Sequence, residues 1–155
     1  MLFFKKKEIE TEEPALLEMK NIITGCQRME KEQVIRSLGD MLVKSGYVSD
    51  AYVEGMLARE LTFSTNMGNG IALPHGVESA KENIKYTGMA VMTFPEGTDW
   101  NGEDVKIVIG IAANGEQHLD ILGNIAETFC DEEAVEKAVS MQPEGIYRIL
   151  TGKGV

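Results

Sequence analysis

The chain has 155 residues, 43% of them hydrophobic and 26% charged, which fits one soluble domain large enough to bury a substantial core. A formal net charge of −10 excludes a surface built for nucleic acid and suits either plain solubility or a basic protein partner. Cys26 and Cys130 stand far apart without CxxC or metal-ligand spacing, and read as small buried hydrophobes of a reducing compartment. The opening M-L-F-F-K-K-K is too short in its apolar part for a signal peptide or a membrane span. A cytoplasmic protein is expected.

Residues 1–14 join a basic triplet to an acidic run ending at Pro14 and read as a flexible leader to a domain over residues 15–155. Residues 16–24 read as a first strand, turning near Gly25. Over residues 30–45 the apolar positions Val34, Ile35, Leu38, Met41 and Leu42 recur at helical spacing, with Gly46 as the stop. Ser49 and Asp50 offer an N-cap for a second helix, whose buried side carries Tyr52, Val53, Met56 and Leu57 and which ends near Arg59-Glu60. Ile71, Ala72 and Leu73 form a short buried strand inside M-G-N-G-I-A-L-P-H-G (residues 67–76). Residues 79–83 are polar and suit a turn or short helix.

Residues 86–94 are nearly all apolar, as an interior strand requires. Pro95-Glu96-Gly97 and Trp100-Asn101-Gly102 read as two turns, and residues 105–113 as another buried strand. Asn114-Gly115 breaks that strand, and a helix follows over residues 117–129. Asp131 caps a further helix to Val139, and Pro143 opens a last one carrying Ile146, Ile149 and Leu150. The order of elements gives an α/β fold: a single domain with helices on both faces of a sheet. The hairpin-like connection over residues 95–101 makes that sheet mixed.

Chemistry concentrates on two histidines. His75 stands at the end of a buried strand, between Pro74, which fixes its own φ, and Gly76, which keeps the approach open. A largely uncharged imidazole there can act as a nucleophile. His118 opens a helix after another buried strand, so both lie at strand ends, where α/β sheets gather their ligand sites. If those strands are neighbours, the two imidazoles share one pocket. A lone histidine is more often a surface or hydrogen-bonded structural residue; the glycine-rich, proline-preceded setting moves His75 towards function, and for His118 the two readings stand about even. Arg59 has two readings as well: a cation complementing the end of the second helix, or a guanidinium fork suited to a phosphoryl group. Phosphate-loop, dinucleotide, nucleophile-elbow and zinc motifs are absent. Asp99, Glu103 and Asp104 read as solvated turn residues, and Met29, Met41, Met56, Met89 and Met92 as packing.

Three separated segments in order resemble one family. They are M-L-A-R-E-L with G-N-G-I-A-L-P-H-G, then F-P-E-G-T-D-W, then V-I-G-I-A-A-N-G-E-Q-H-L-D-I-L. Together they look like the EIIA component of the bacterial phosphoenolpyruvate-dependent sugar phosphotransferase system, mannitol/fructose class, and closest to its mannitol branch. The resemblance implies a mixed sheet of about five strands flanked by helices. It further implies that His75 accepts a phosphoryl group from the phosphocarrier protein HPr and passes it to a cysteine of EIIB, with the membrane component EIIC as an indirect associate. His118 matches the family's second active-site histidine, and Arg59 its active-site arginine. The chain lacks EIIB and EIIC segments, so a free-standing EIIA is expected, with no metal or cofactor. Attachment through Nε2, with Nδ1 held by a backbone group, is implied too. A regulatory EIIA-like protein, signalling through the phosphorylation state of His75, is the alternative within the same superfamily. A binding module with structural histidines is the alternative outside it.

Overall fold

A computed structural model describes residues 13–77 and 82–153. The expected leader therefore lies outside the described residues except for Glu13 and Pro14, as does most of the polar segment 79–83. A single 3-10 turn, Met19–Asn21, leads into β1 (Ile22–Ile23), so the first strand is far shorter than the apolar letters of residues 16–24 suggest. Helices α1 (Lys31–Lys44) and α2 (Ala51–Thr62) come next, followed by the short strands β2 (Asn66–Gly68) and β3 (Ile71–Ala72). The long strands β4 (Gly88–Trp100) and β5 (Glu103–Ala112) precede α3 (Gly115–Thr128), α4 (Glu132–Val139) and α5 (Pro143–Thr151). Asp131 caps α4 as its sequence position implies, its side chain accepting from the Ala134 N–H at 2.9 Å.

The five strands form one sheet in the order β1-β4-β5-β3-β2. β1 runs parallel to β4 and β3 parallel to β5, whereas β4–β5 and β2–β3 are antiparallel. The mixed sheet expected from the hairpin is thus present, but only one of the two expected turns makes it. Asn101 and Gly102 both take positive φ, 58° and 93°, the two-residue arrangement whose twist matches the flanking strands. Pro95-Glu96-Gly97 is no turn. There β4 bulges: Thr93 pairs with Ile107 and Thr98 with Val105, so residues 94–97 face Lys106 alone. Pro in a strand is confined to edges and bulges because it cannot donate to the ladder. The Arg28 guanidinium accommodates the displaced backbone, donating to the carbonyls of Glu96 and Gly97 while pairing with Asp104 at 3.1 Å.

Side-chain alternation along the strands separates two cores. On one face Met89, Val91, Ile107, Ile109 and Ile111 pack with Ile121, Ile125, Val135 and Ile146 of α3, α4 and α5 and with Phe129 just past the end of α3. On the other, Ala72, Ala90, Val108 and Ala112 lie under Val34, Leu38, Tyr52 and Met56 of α1 and α2. Small residues stand at Ala72, Ala90, Gly110 and Ala112 of the second face, where the helices sit close. A Cβ on Gly110 would lie 3.0 Å from that of Leu38. Met56, Met89 and Met92 are buried, as read from the sequence, and Met29 and Met41 are partly buried against the second core. Val53 is half-buried and Leu119 exposed. Cys130 is exposed and Cys26 half-buried, so the expectation of two buried cysteines fails for Cys130, which follows the end of α3. Among the described residues no helix is long and apolar enough to cross a membrane.

Candidate active site

β3 ends at Ala72, but the chain continues alongside β5. Ile111 donates its N–H to the carbonyl of Pro74 at 3.0 Å, and His75 forms a parallel bridge with Ile111. α3 begins three residues beyond the end of β5 and carries His118 in its first turns. His75 and His118 therefore rise from the C-terminal ends of two neighbouring parallel strands. Their rings meet edge to face with centroids 4.9 Å apart, and both residues are half-buried. The two imidazoles that the sequence allowed to face one another are in ring contact.

The orientation of His75 is set by its own backbone. Nδ1 lies 2.8 Å from the carbonyl oxygen of Leu73. A carbonyl only accepts, so Nδ1 carries the proton and, in the neutral ring, the nucleophilic lone pair lies at Nε2. The Leu73 peptide is itself anchored, its N–H donating to Thr65 O at 3.0 Å. Thr65 in turn gives both its N–H (2.9 Å) and its hydroxyl (2.6 Å) to the buried carboxylate of Glu60. The same carboxylate accepts from Trp100 Nε1 at 2.9 Å. Three donors satisfy a buried carboxylate whose desolvation would otherwise be costly. An unbroken series of hydrogen bonds thus runs from the β4–β5 hairpin through α2 to the imidazole.

The other side of His75 is held by Tyr52. Its hydroxyl accepts from the Gly76 N–H at 2.9 Å and donates to Ile111 O at 2.8 Å. Burial pushes its pKa up to about 12, partly offset by the Gly76 bond. Gly76 is thus needed for a different reason from the one its position in the sequence suggests. A Cβ there would lie 2.5 Å from the tyrosine ring, so the missing side chain makes room for Tyr52 inside the protein. The glycines of M-G-N-G also serve another end. Gly68, Asn69 and Gly70 take φ of 93°, 57° and 87° to turn β2 into β3. Gly70 O accepts from the N–H groups of Lys106 and Ile107, at the opposite end of the strand. Since Ile71 pairs with Ile107 and His75 with Ile111, that turn lies roughly 13 Å from His75.

Arg59 sits in the last turn of α2. Its Nη1 donates to Phe63 O at 2.8 Å, and its guanidinium carbon lies 5.8 Å from the centroid of the exposed Phe63 ring. Its visible contacts are those of a helix-terminal cation. Tyr52 and Glu60 are the residues whose part in the site the sequence did not disclose. A signal was available: Tyr52, Met56 and Glu60 recur every four residues on the buried side of α2, and a buried hydroxyl and carboxylate each demand partners.

Residues 15–153 match the model of the family described as phosphoenolpyruvate-dependent sugar phosphotransferase system, EIIA 2. A mannitol-specific phosphotransferase enzyme IIA component from Halalkalibacterium halodurans is 44% identical over 127 residues, covering 82% of this chain and 88% of that protein. One from Staphylococcus aureus is 45% identical over 119 residues, covering 77% and 83%. The crystal structure of IIA mannitol from Escherichia coli superposes with a TM-score of 0.79 at 33% identity, covering 86% of this chain and 98% of that one. The same Escherichia coli enzyme in complex with phosphorylated enzyme IIB gives 0.81 at 33% identity, covering 89% and 100%.

Proposed function

Because the chain belongs to the EIIA 2 family of the phosphoenolpyruvate-dependent sugar phosphotransferase system, we propose that it carries phosphoryl groups for mannitol uptake in the cytoplasm, with His75 as the acceptor. Nε2 of His75 attacks the phosphorus of phosphorylated HPr. A new P–N bond forms as the P–N bond to the HPr histidine breaks, and HPr leaves with the nitrogen lone pair. In the second half a thiolate of EIIB attacks the same phosphorus, a P–S bond forms, and the lone pair returns to Nε2 of His75.

The observation that supports this reading is the pairing of His75 with His118, with His75 Nδ1 turned onto Leu73 O. A proton fixed on Nδ1 leaves Nε2 as the nucleophile and keeps the ring from rotating between partners. Group transfer of this kind depends mainly on positioning and on charge stabilisation. His118, at the edge of the His75 ring, donates a hydrogen bond to the phosphoryl oxygens. The exposed first turn of α3 adds a positive dipole end beside it. Arg59 supplies the cation by turning from Phe63 to the phosphoryl group.

The test is incubation with phosphoenolpyruvate, enzyme I and HPr. The protein becomes labelled, His75→Ala abolishes the label, and His118→Ala slows labelling while leaving it on His75. Onward transfer to a mannitol EIIB completes the assignment. Label at a residue other than His75 would refute it, and labelling without onward transfer to any EIIB would point to a signalling role.

A further inference from the structure

The contacts around Gly76 carry a consequence for the reaction. Tyr52 and Tyr47 are both fully buried tyrosines of the same core, and each ring lies against a glycine. A Cβ on Gly76 would stand 2.5 Å from the Tyr52 ring, and one on Gly88 would stand 2.3 Å from that of Tyr47. The hydroxyls differ in what they hold. Tyr47 donates to Ala15 O, on the segment leading into β1, remote in the sheet from β3. Tyr52 joins the peptide after His75 to the carbonyl of Ile111, the residue that bridges His75.

We propose that Tyr52 is a positioning residue for phosphoryl transfer at His75, clamping Gly76 to β5 so that the imidazole keeps one place and one tilt through both transfers. The N-terminal side of His75 is fixed by Leu73 N–H to Thr65 and by Ile111 N–H to Pro74. Without the tyrosine hydroxyl the C-terminal side loses its only bridging group between Gly76 N–H and Ile111 O among the described hydrogen bonds. A ring pinned on one side alone pivots, and a displacement of about 1 Å at an attacking atom costs up to a hundredfold in rate. Tyr52 is fully buried, so the clamp acts on the transfer step and leaves docking unchanged.

This inference rests on the reading of His75 as acceptor, and single-turnover transfer from phosphorylated HPr separates the two. If the wild-type protein takes no label at His75, that underlying reading fails. If it is labelled, Tyr52→Phe is expected to lower the transfer rate constant by about tenfold to a hundredfold, with the KM for phosphorylated HPr within about twofold of wild type. Tyr47→Phe removes the bonded hydroxyl of another fully buried tyrosine of the same core and should lower the melting temperature while transferring at the wild-type rate. A Tyr52→Phe protein that transfers as fast as wild type overturns the proposal. So does a Tyr47→Phe protein slowed as much as Tyr52→Phe, since the loss would then be general loosening. Should Tyr52→Phe be too unstable to assay, Gly76→Ala strains the same contact from the other side. A folded Gly76→Ala protein slowed at unchanged KM supports the clamp, and one at the wild-type rate overturns it.

Discussion

Tyr52 ties alkaline stability to the geometry around His75, and Tyr47 ties it to the segment leading into β1. A tyrosine in an unfolded chain ionises near 10, whereas in the folded protein burial pushes each of these to about 12. For Tyr47 the charge of Glu18 adds to the effect of burial, and a bond with Asn21 opposes it. Between those pH values the unfolded state gives up protons that the folded state keeps, so stability falls as pH rises. The contribution is intact below pH 10 and erodes towards pH 12, by on the order of 2–3 kcal/mol for Tyr52 and by less for Tyr47, whose hydroxyl is nearer solvent. Urea midpoints at pH 9, 10.5 and 12 should drop steeply for the wild type and less steeply for Tyr52→Phe, once that variant's lower starting stability is subtracted. Parallel slopes would mean that the hydroxyl ionises in the folded state without penalty.

At the scale of elements, one buried carboxylate holds three pieces together. Glu60 joins α2 to the start of β2 through Thr65 and to the β4–β5 hairpin through Trp100. Glu60→Ala leaves the indole N–H and both Thr65 donors without their acceptor, a loss of about 3–5 kcal/mol from buried neutral donors left unsatisfied. Trp100 is the only tryptophan, so the same variant should shift native fluorescence to longer wavelength as the indole meets water. An unshifted spectrum at unchanged stability would remove Glu60 from the support of the site. Helices were the most legible elements, because α1, α3, α4 and α5 each repeat an apolar face within their own sequence. Pro95 reads as the end of β4 because proline and glycine commonly end strands, and the groups that hold them inside one, Arg28 and Met29, are distant in the chain. His75 and His118 could be singled out by their strand-end settings. The hydroxyl of Tyr52 could not be placed at the site, since its partners lie 24 and 59 residues away and no local pattern encodes such distances.

For the molecule as a whole, the net charge of −10 bears on how a donor arrives. A donor with a basic docking face would be drawn to this surface over distances that salt shortens, from about 10 Å at 0.1 M to about 3 Å at 1 M. The second-order rate of transfer from phosphorylated HPr should fall by about threefold or more between roughly 0.05 M and 0.5 M salt, while the first-order step within the complex stays level. Stopped-flow measurement resolves the two, and a salt-independent second-order rate would assign the acidity to solubility alone.

The sheet also divides the site between two separately packed layers. Tyr52, which secures the His75 segment, belongs to the core beneath α1 and α2, while α3, which carries His118, is seated in the core on the opposite face. Leu73, whose carbonyl holds Nδ1 of His75, packs in the same core as α3, so a molecule with only one layer docked never presents the pair. Competence to exchange a phosphoryl group at full speed becomes a census of molecules that have completed assembly on both sides. In a refolding time course the recovery of transfer should follow the slower layer, so the chemistry acts as the molecule's own inspection stamp.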